Sequence, residues 1–160
     1  MKAKASKELE AFIIEQAPSH YATADAPADW HALKVWYELW NIRLANGECY
    51  VIPVFDGGCE DTIYSSPRVN HAFRAWHDSL HLILDEDFSL HGEREVAARH
   101  VLAAERAGLS WRDKEMLWAD TYGQRAYYQQ TGEYVKDQAA FVGACMEMGL
   151  GTVLESGRRY

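Results

Sequence analysis

Residues 66–85 read SPRVNHAFRAWHDSLHLILD, and their reading divides the chain in two. Ser66 is an N-cap residue followed by proline at the first helical position, where a missing N–H costs nothing. At about 100° per residue, Val69, Phe73, Trp76, Leu80, Ile83 and Leu84 fall on one side, which predicts a helix to about Asp85 with an apolar stripe. Only helical patterns follow. Ser89 or His91 starts the next helix, which runs to Arg106 and stops at Gly108. Ser110 with Asp113 resembles a capping box and opens a third, running to Thr131-Gly132. A fourth spans about Glu133–Met148 and ends at Gly149, leaving ESGRRY as a frayed tail.

The residues ahead of this half read differently. Ser6 caps a helix to about Gln16, and PSHYATADAPAD after it is small, polar and proline-broken, as loops are. LKVWYELWNIRL, residues 33–44, fits helical spacing (Leu33, Trp36, Trp40, Leu44) nearly as well as strand alternation. Its aromatic content, the turn dipeptide Asn46-Gly47 and the β-branched run CYVIPVFD favour a β-hairpin over Val35–Leu44 and Glu48–Phe55, with Pro53 marking an edge strand. CEDTIYSS, after Gly57-Gly58, adds a candidate third strand. The expected fold is mainly α, of the α+β class: an N-terminal helix and a β-hairpin or small antiparallel sheet, then a bundle of about four helices. We read a single domain over 1–160, with helix, loop and hairpin over about 1–65, the bundle over about 66–150 and the tail over 151–160.

With 160 residues, 48% hydrophobic and 12% aromatic, including six Trp and nine Tyr, the chain can bury a core and is neither disordered nor fibrous. A net charge of −8 disfavours a broad nucleic-acid surface. Three cysteines without paired metal spacing fit a reducing cytoplasm. The apolar run 11–14 is too short, and too closely flanked by Glu10 and Glu15, for a signal peptide or membrane span. Glycine-rich phosphate loops, a nucleophile elbow and CxxC pairs do not occur in the sequence.

The face opposite the stripe of 66–85 is unusual. Asn70, His71, Arg74, His77, Asp78, His81 and Asp85 share an arc of roughly 120° that holds no Lys, Glu, Gln or Ser, the common fillers of a solvated helix face. His77 and His81 stand one turn apart, so both rings can reach one divalent cation. A solvated face laced by Arg74–Asp78 and His81–Asp85 ion pairs is the plainer alternative. Later helices carry polar groups on apolar stripes, where burial is costly without a partner. Glu93 and His100 lie within about 20° of each other on one stripe, and Asp120 lies near the centre of the next, with Gln124 one turn on. A shared site would take His77, His81, Glu93 and Asp120 as ligands of zinc, manganese or iron. Asp78, His71 or His100 would orient or deprotonate the bound water, and Arg74 and Gln124 would bind substrate. Taken singly, Glu93 could be a first-turn acid favoured by the helix dipole, His100 a core histidine paired to a carboxylate, and Asp120 a buried partner for Arg or Tyr.

The His77-Asp78 dyad with Asp120 downstream loosely resembles the HD phosphohydrolase superfamily, helical metal enzymes whose pattern also has an upstream His. Here His71 lies on the same helix as the dyad, and His31 lies ahead of the expected hairpin. IPVFDGGCEDTIYSSPRVNHAFRAWHDSLHL, with DTYGQRAYY and Gln138, is similar in wording to small uncharacterised proteins of tailed bacteriophages over perhaps half the chain. That resemblance implies a host cytoplasm and brings no activity with it.

These residues lead to two expectations. The first is a metal-dependent hydrolase of a phosphate ester or nucleotide, acting on a small anionic substrate. The second is a non-enzymatic, phage-encoded acidic interaction protein that modulates a host protein through exposed aromatics. Neither requires a membrane, bulk nucleic acid or a particular oligomeric state, although a homo-oligomer is compatible with both.

Overall fold

A computed structural model describes residues 1–45 and 51–160, with the backbone alone for 39–45. Helix α1 (Lys7–Gln16) begins where Ser6 Oγ accepts the Leu9 N–H, and it buries Leu9, Phe12 and Ile13. Phe12 meets Trp76 of helix α3 (Pro67–Leu84) edge to face, with ring centroids 5.4 Å apart. Helix α3 is capped by Ser66, carries Pro67 in its first turn, and closes on Asp85 in the left-handed region, at φ 55°.

Residues 30–45 fold otherwise than the hairpin expected from them. Helix α2 (Trp30–Ala45) occupies the segment read as the first strand. Asp29 starts it, its Oδ1 accepting the Ala32 N–H at 2.9 Å and its carbonyl the Leu33 N–H at 3.0 Å. No Gly or Pro interrupts 30–45, so the Leu33, Trp36, Trp40, Leu44 spacing is the period that wins. Asn46-Gly47 lies outside the described residues. The second expected strand does form, as β2 (Ile52–Phe55), but it pairs in parallel with β1 (His20–Thr23), a segment read as loop. The register runs His20↔Ile52 to Thr23↔Phe55. Parallel neighbours cannot be joined by a tight turn and need a crossover, which is the place α2 takes between them. Pro53 fits because both strands of a two-stranded ribbon are edges. Residues 59–66 form no strand where a third was expected, but turns and bends over 60–66, with Ile63 and Tyr64 buried.

The helical half follows its caps. Ser89 starts α4 (Leu90–Arg106), its Oγ accepting the Gly92 N–H, and Gly108 follows the helix at φ 74°. Ser110 starts α5 (Trp111–Trp118). The run to Thr131 is one path but not one regular helix: a π-turn over Ala119–Gly123 separates α5 from α6 (Gln124–Thr131). Helix α7 (Gln138–Met148) begins at Asp137, later than expected, because the Asp137 carboxylate caps the Ala140 N–H. The C-terminal stretch is not frayed. Leu150–Glu155 forms α8, the Tyr160 carbonyl accepts the Lys136 N–H at 2.8 Å, and the Tyr160 ring packs on Phe141 at 5.5 Å.

The main core gathers α1, α3 and the later helices around Leu9, Ile13, Met116, Leu117 and Phe141. Ile52, Val54 and Ala75, with Trp36, form a smaller cluster that seats the ribbon on α3. The bundle with a small sheet is therefore mainly α, and none of its described helices is long and apolar enough to cross a membrane.

Candidate metal centre

Helix α3 projects His77 and His81 from adjacent turns, and the short link through Asp85 and Ser89 brings back the first turn of α4 with Glu93. The His81 and His77 Nε2 atoms lie 3.1 Å apart. Glu93 Oε2 lies 3.3 Å from His77 Nε2 and 3.7 Å from His81 Nε2. Among the described residues these three side chains form the one group able to share a cation. A cation about 2.1 Å from each atom would subtend ligand angles of roughly 95–125°, near those of a tetrahedral zinc site. His81 is fully buried, whereas the His77 and Glu93 side chains are 17% and 13% exposed, so the centre opens toward solvent on one side.

The far nitrogens of both rings are also spoken for. His81 Nδ1 lies 2.9 Å from the Glu86 carbonyl, an acceptor only, so Nδ1 carries a proton, and in the neutral ring it is Nε2 that has the lone pair. His77 Nδ1 lies 3.2 Å from His100 Nε2. His100 is fully buried, its ring is stacked 12° from parallel with His77, and its edge-to-face contact with Trp76 has a centroid distance of 4.0 Å. Burial, reinforced by the charges of His77 and His81, pushes His100 far below the usual imidazole range. His100 is thus a neutral acceptor for the His77 Nδ1–H, and its own Nδ1 is buried with no hydrogen-bond partner among the described residues. Phe88 packs edge-on to His81 at 4.7 Å, with Trp30 a further 6.1 Å from Phe88.

Charge is balanced inside this group. Burial alone would raise the Glu93 carboxyl, but the charges and hydrogen bonds of His77 and His81 outweigh it and hold Glu93 well below the usual carboxylate range. Burial likewise disfavours charge on His77, and Glu93 more than offsets it, leaving His77 raised. Asp78 is half-buried, and burial pushes its carboxyl up to about 6 against the pull of His77 and His81.

The other residues expected at the site are placed elsewhere. Asp120 lies outside the His77, His81 and Glu93 group. It is buried in the π-turn, where its Oδ2 accepts from Tyr64 OH at 2.8 Å and its Oδ1 from Gln124 Nε2 at 2.8 Å. It is thus the buried partner of a tyrosine, and the Gln124 amide is directed to it and to its carbonyl, 2.7 Å away. The Arg74 guanidinium grips a loop, donating to the carbonyls of Phe55, Gly57 and Gly58. His71 stands by Cys59, not by the histidine pair, with Nε2 3.4 Å from the sulfur. Cys59, Glu86 and Phe88 were not singled out from the sequence. Helical spacing ranks residues on one face and says nothing of loop atoms that fold back onto it.

Comparison of the chain with protein-family models, with curated proteins and with solved structures finds no match.

Proposed function

We propose that His77, His81 and Glu93 hold one divalent cation, zinc, manganese or iron, and that the protein is a metal-dependent hydrolase of a phosphate ester or nucleotide. The observation that carries the reading is the triangle of His77 Nε2, His81 Nε2 and Glu93 Oε2, with edges of 3.1, 3.3 and 3.7 Å. Such edges suit three protein ligands with a position left for water, the pattern of catalytic rather than structural sites. A bound cation lowers the pKa of its water towards neutrality. Asp78, next to His77 and with a carboxyl that burial pushes up to about 6, is suited to take the proton. The Trp30 and Phe88 rings flanking His81 offer a stacking wall for a nucleobase. The cell or host-cell cytoplasm is the setting that fits this reading.

The test is the metal content of protein purified without chelator or nickel affinity, beside a His77→Ala/His81→Ala double variant. Near-stoichiometric metal in the wild type, absent from the folded variant, together with hydrolysis of p-nitrophenyl phosphate or nucleotides lost in parallel, is the expected result. A metal-free wild type that also fails to take up added zinc, manganese or iron sinks the proposal.

One observation favours a second reading, the interaction protein: Trp111 is 69% exposed and borders a cavity of about 450 Å³ whose walls include Val101, Trp118, Met146 and Leu150. In that case Trp111→Ala would abolish capture of a host protein and leave metal content untouched.

A further inference from the structure

A second group of reactive side chains lies on the N-terminal half of α3, apart from the metal ligands. After β2 the chain turns through Asp56, Gly57 and Gly58 to Cys59, and Gly58 takes a φ of 65° that side chains rarely adopt. Arg74 fastens this turn to α3 through the carbonyls of Phe55, Gly57 and Gly58. The clamp sets the Cys59 sulfur against two side chains of the helix. His71 Nε2 lies 3.4 Å from Sγ, and Asn70 Nδ2 donates to Sγ at 3.2 Å. Cys59 is free and half-buried, so the sulfur is not sealed off.

Asn70 is what separates this arrangement from a cysteine that merely fills space. Its side chain is 3% exposed, and a buried amide is costly unless its N–H finds a good acceptor. A neutral thiol is a poor one, whereas a sulfur gaining negative charge is a strong one. His71 supplies the other requirement of an attacking thiol, a base within reach of its proton. The Asp56 carbonyl, 3.4 Å from His71 Nε2, can then hold the protonated ring.

The surroundings also select the electrophile. Among the described residues, the backbone partners of the sulfur are two carbonyls that accept from its S–H, Asp56 at 3.6 Å and Gly57 at 3.8 Å. Two acceptors at the sulfur offer no N–H to the oxyanion of acyl transfer, which needs such donors. Thiol–disulfide exchange creates no oxyanion. We infer that Cys59, with His71 as base and Asn70 as hydrogen-bond donor to the sulfur, is a nucleophilic thiol that exchanges with low-molecular-weight disulfides of the glutathione class. Sγ attacks one sulfur of the disulfide as its proton passes to His71 Nε2. The Sγ–S bond forms while the disulfide's own S–S bond breaks, and the electron pair leaves on the distal sulfur, which takes the proton from His71. One protein thiol and one disulfide become one mixed disulfide and one free thiol.

The experiment uses the reduced full-length chain in the presence of chelator, which makes it independent of the metal centre. Oxidised glutathione is added below stoichiometry, the reaction is quenched by acid, and the modified cysteines are mapped by peptide mass spectrometry. Native Cys59 is expected to react at least tenfold faster than the same cysteine in the urea-unfolded chain, and ahead of Cys49 and Cys145. In His71→Ala that advantage should be lost while Cys59 still reacts. A native Cys59 no faster than in the unfolded chain, label concentrated on another cysteine, or a rate unchanged in His71→Ala each overturns the inference. The comparison of native with unfolded wild type stands even if the variant fails to fold.

Discussion

Asp120 shows how a single buried carboxyl shapes the pH response of the protein. Burial raises its carboxyl from the ordinary 3.8 to about 6, against the opposing hydrogen bonds of Tyr64 and Gln124. The folded state therefore binds this proton more tightly than the unfolded state. The resulting contribution is fully present below about pH 4 and is lost as pH rises through about 6. Asp120→Asn keeps an oxygen for Tyr64 and removes the titration, so the variant should gain on the wild type by on the order of 2–3 kcal/mol between pH 4 and pH 7. Urea unfolding of both proteins at the two pH values checks this, and an equal change in both would refute it. Residues of this kind were partly legible in the sequence. His77 and His81 follow from one helix's spacing, Glu93 from its place beside His100 on one apolar stripe, and the nearness of Gln124 to Asp120 from one turn of separation. His71 and Arg74 share the histidine arc by helical angle, but the turn at 56–59 folds over them and claims their polar atoms. Periodicity along α3 cannot reveal a loop that returns to it.

At the scale of elements, the proposed metal centre depends on how closely α4 begins beside the turn that precedes it. A β-carbon on Gly92 would stand 1.9 Å from the Asp87 carbonyl oxygen, so only glycine allows that approach. Gly92→Ala must move the start of α4, and Glu93 with it. We expect a loss of about 1–3 kcal/mol in stability, as for other forced overpacking, and a drop in zinc affinity of at least tenfold in a chelator competition. Wild-type affinity in a folded Gly92→Ala protein would show that Glu93 is not positioned this way. The four serine-capped helix starts were the most legible elements, because each rests on one local hydrogen bond accepted by Ser6, Ser66, Ser89 or Ser110. The ribbon was not. Its strands come before and after α2 in the sequence, and a parallel partner across a crossover leaves no mark in either strand's own alternation. The aromatic content of 33–44 also suits both periods, and the Asp29 cap that decides between them lies in a stretch that reads as loop.

For the whole molecule, a cation held by the native state alone adds to global stability by mass action. At a free zinc concentration about 100-fold above its dissociation constant, the gain is about 2.7 kcal/mol. For a chain of this size that corresponds to a rise in Tm of roughly 5–10 °C. Calorimetry should show the rise with zinc, its reversal by chelator, and its absence in the His77→Ala/His81→Ala variant; an equal rise in that variant would place the cation elsewhere. The mainly helical fold was legible at this scale, since the later half carries one period from cap to cap. The packing of Tyr160 was not, because a short terminal stretch signals neither docking nor fraying by itself. The helical hairpin of α3 and α4 has one further consequence. The three proposed ligands, the Glu86 carbonyl and His100 all lie within residues 77–100. The proposed ligands and their hydrogen-bond partners are therefore encoded in one uninterrupted stretch, a cassette that recombination or a designer could move to another helical scaffold that supplies the surrounding rings.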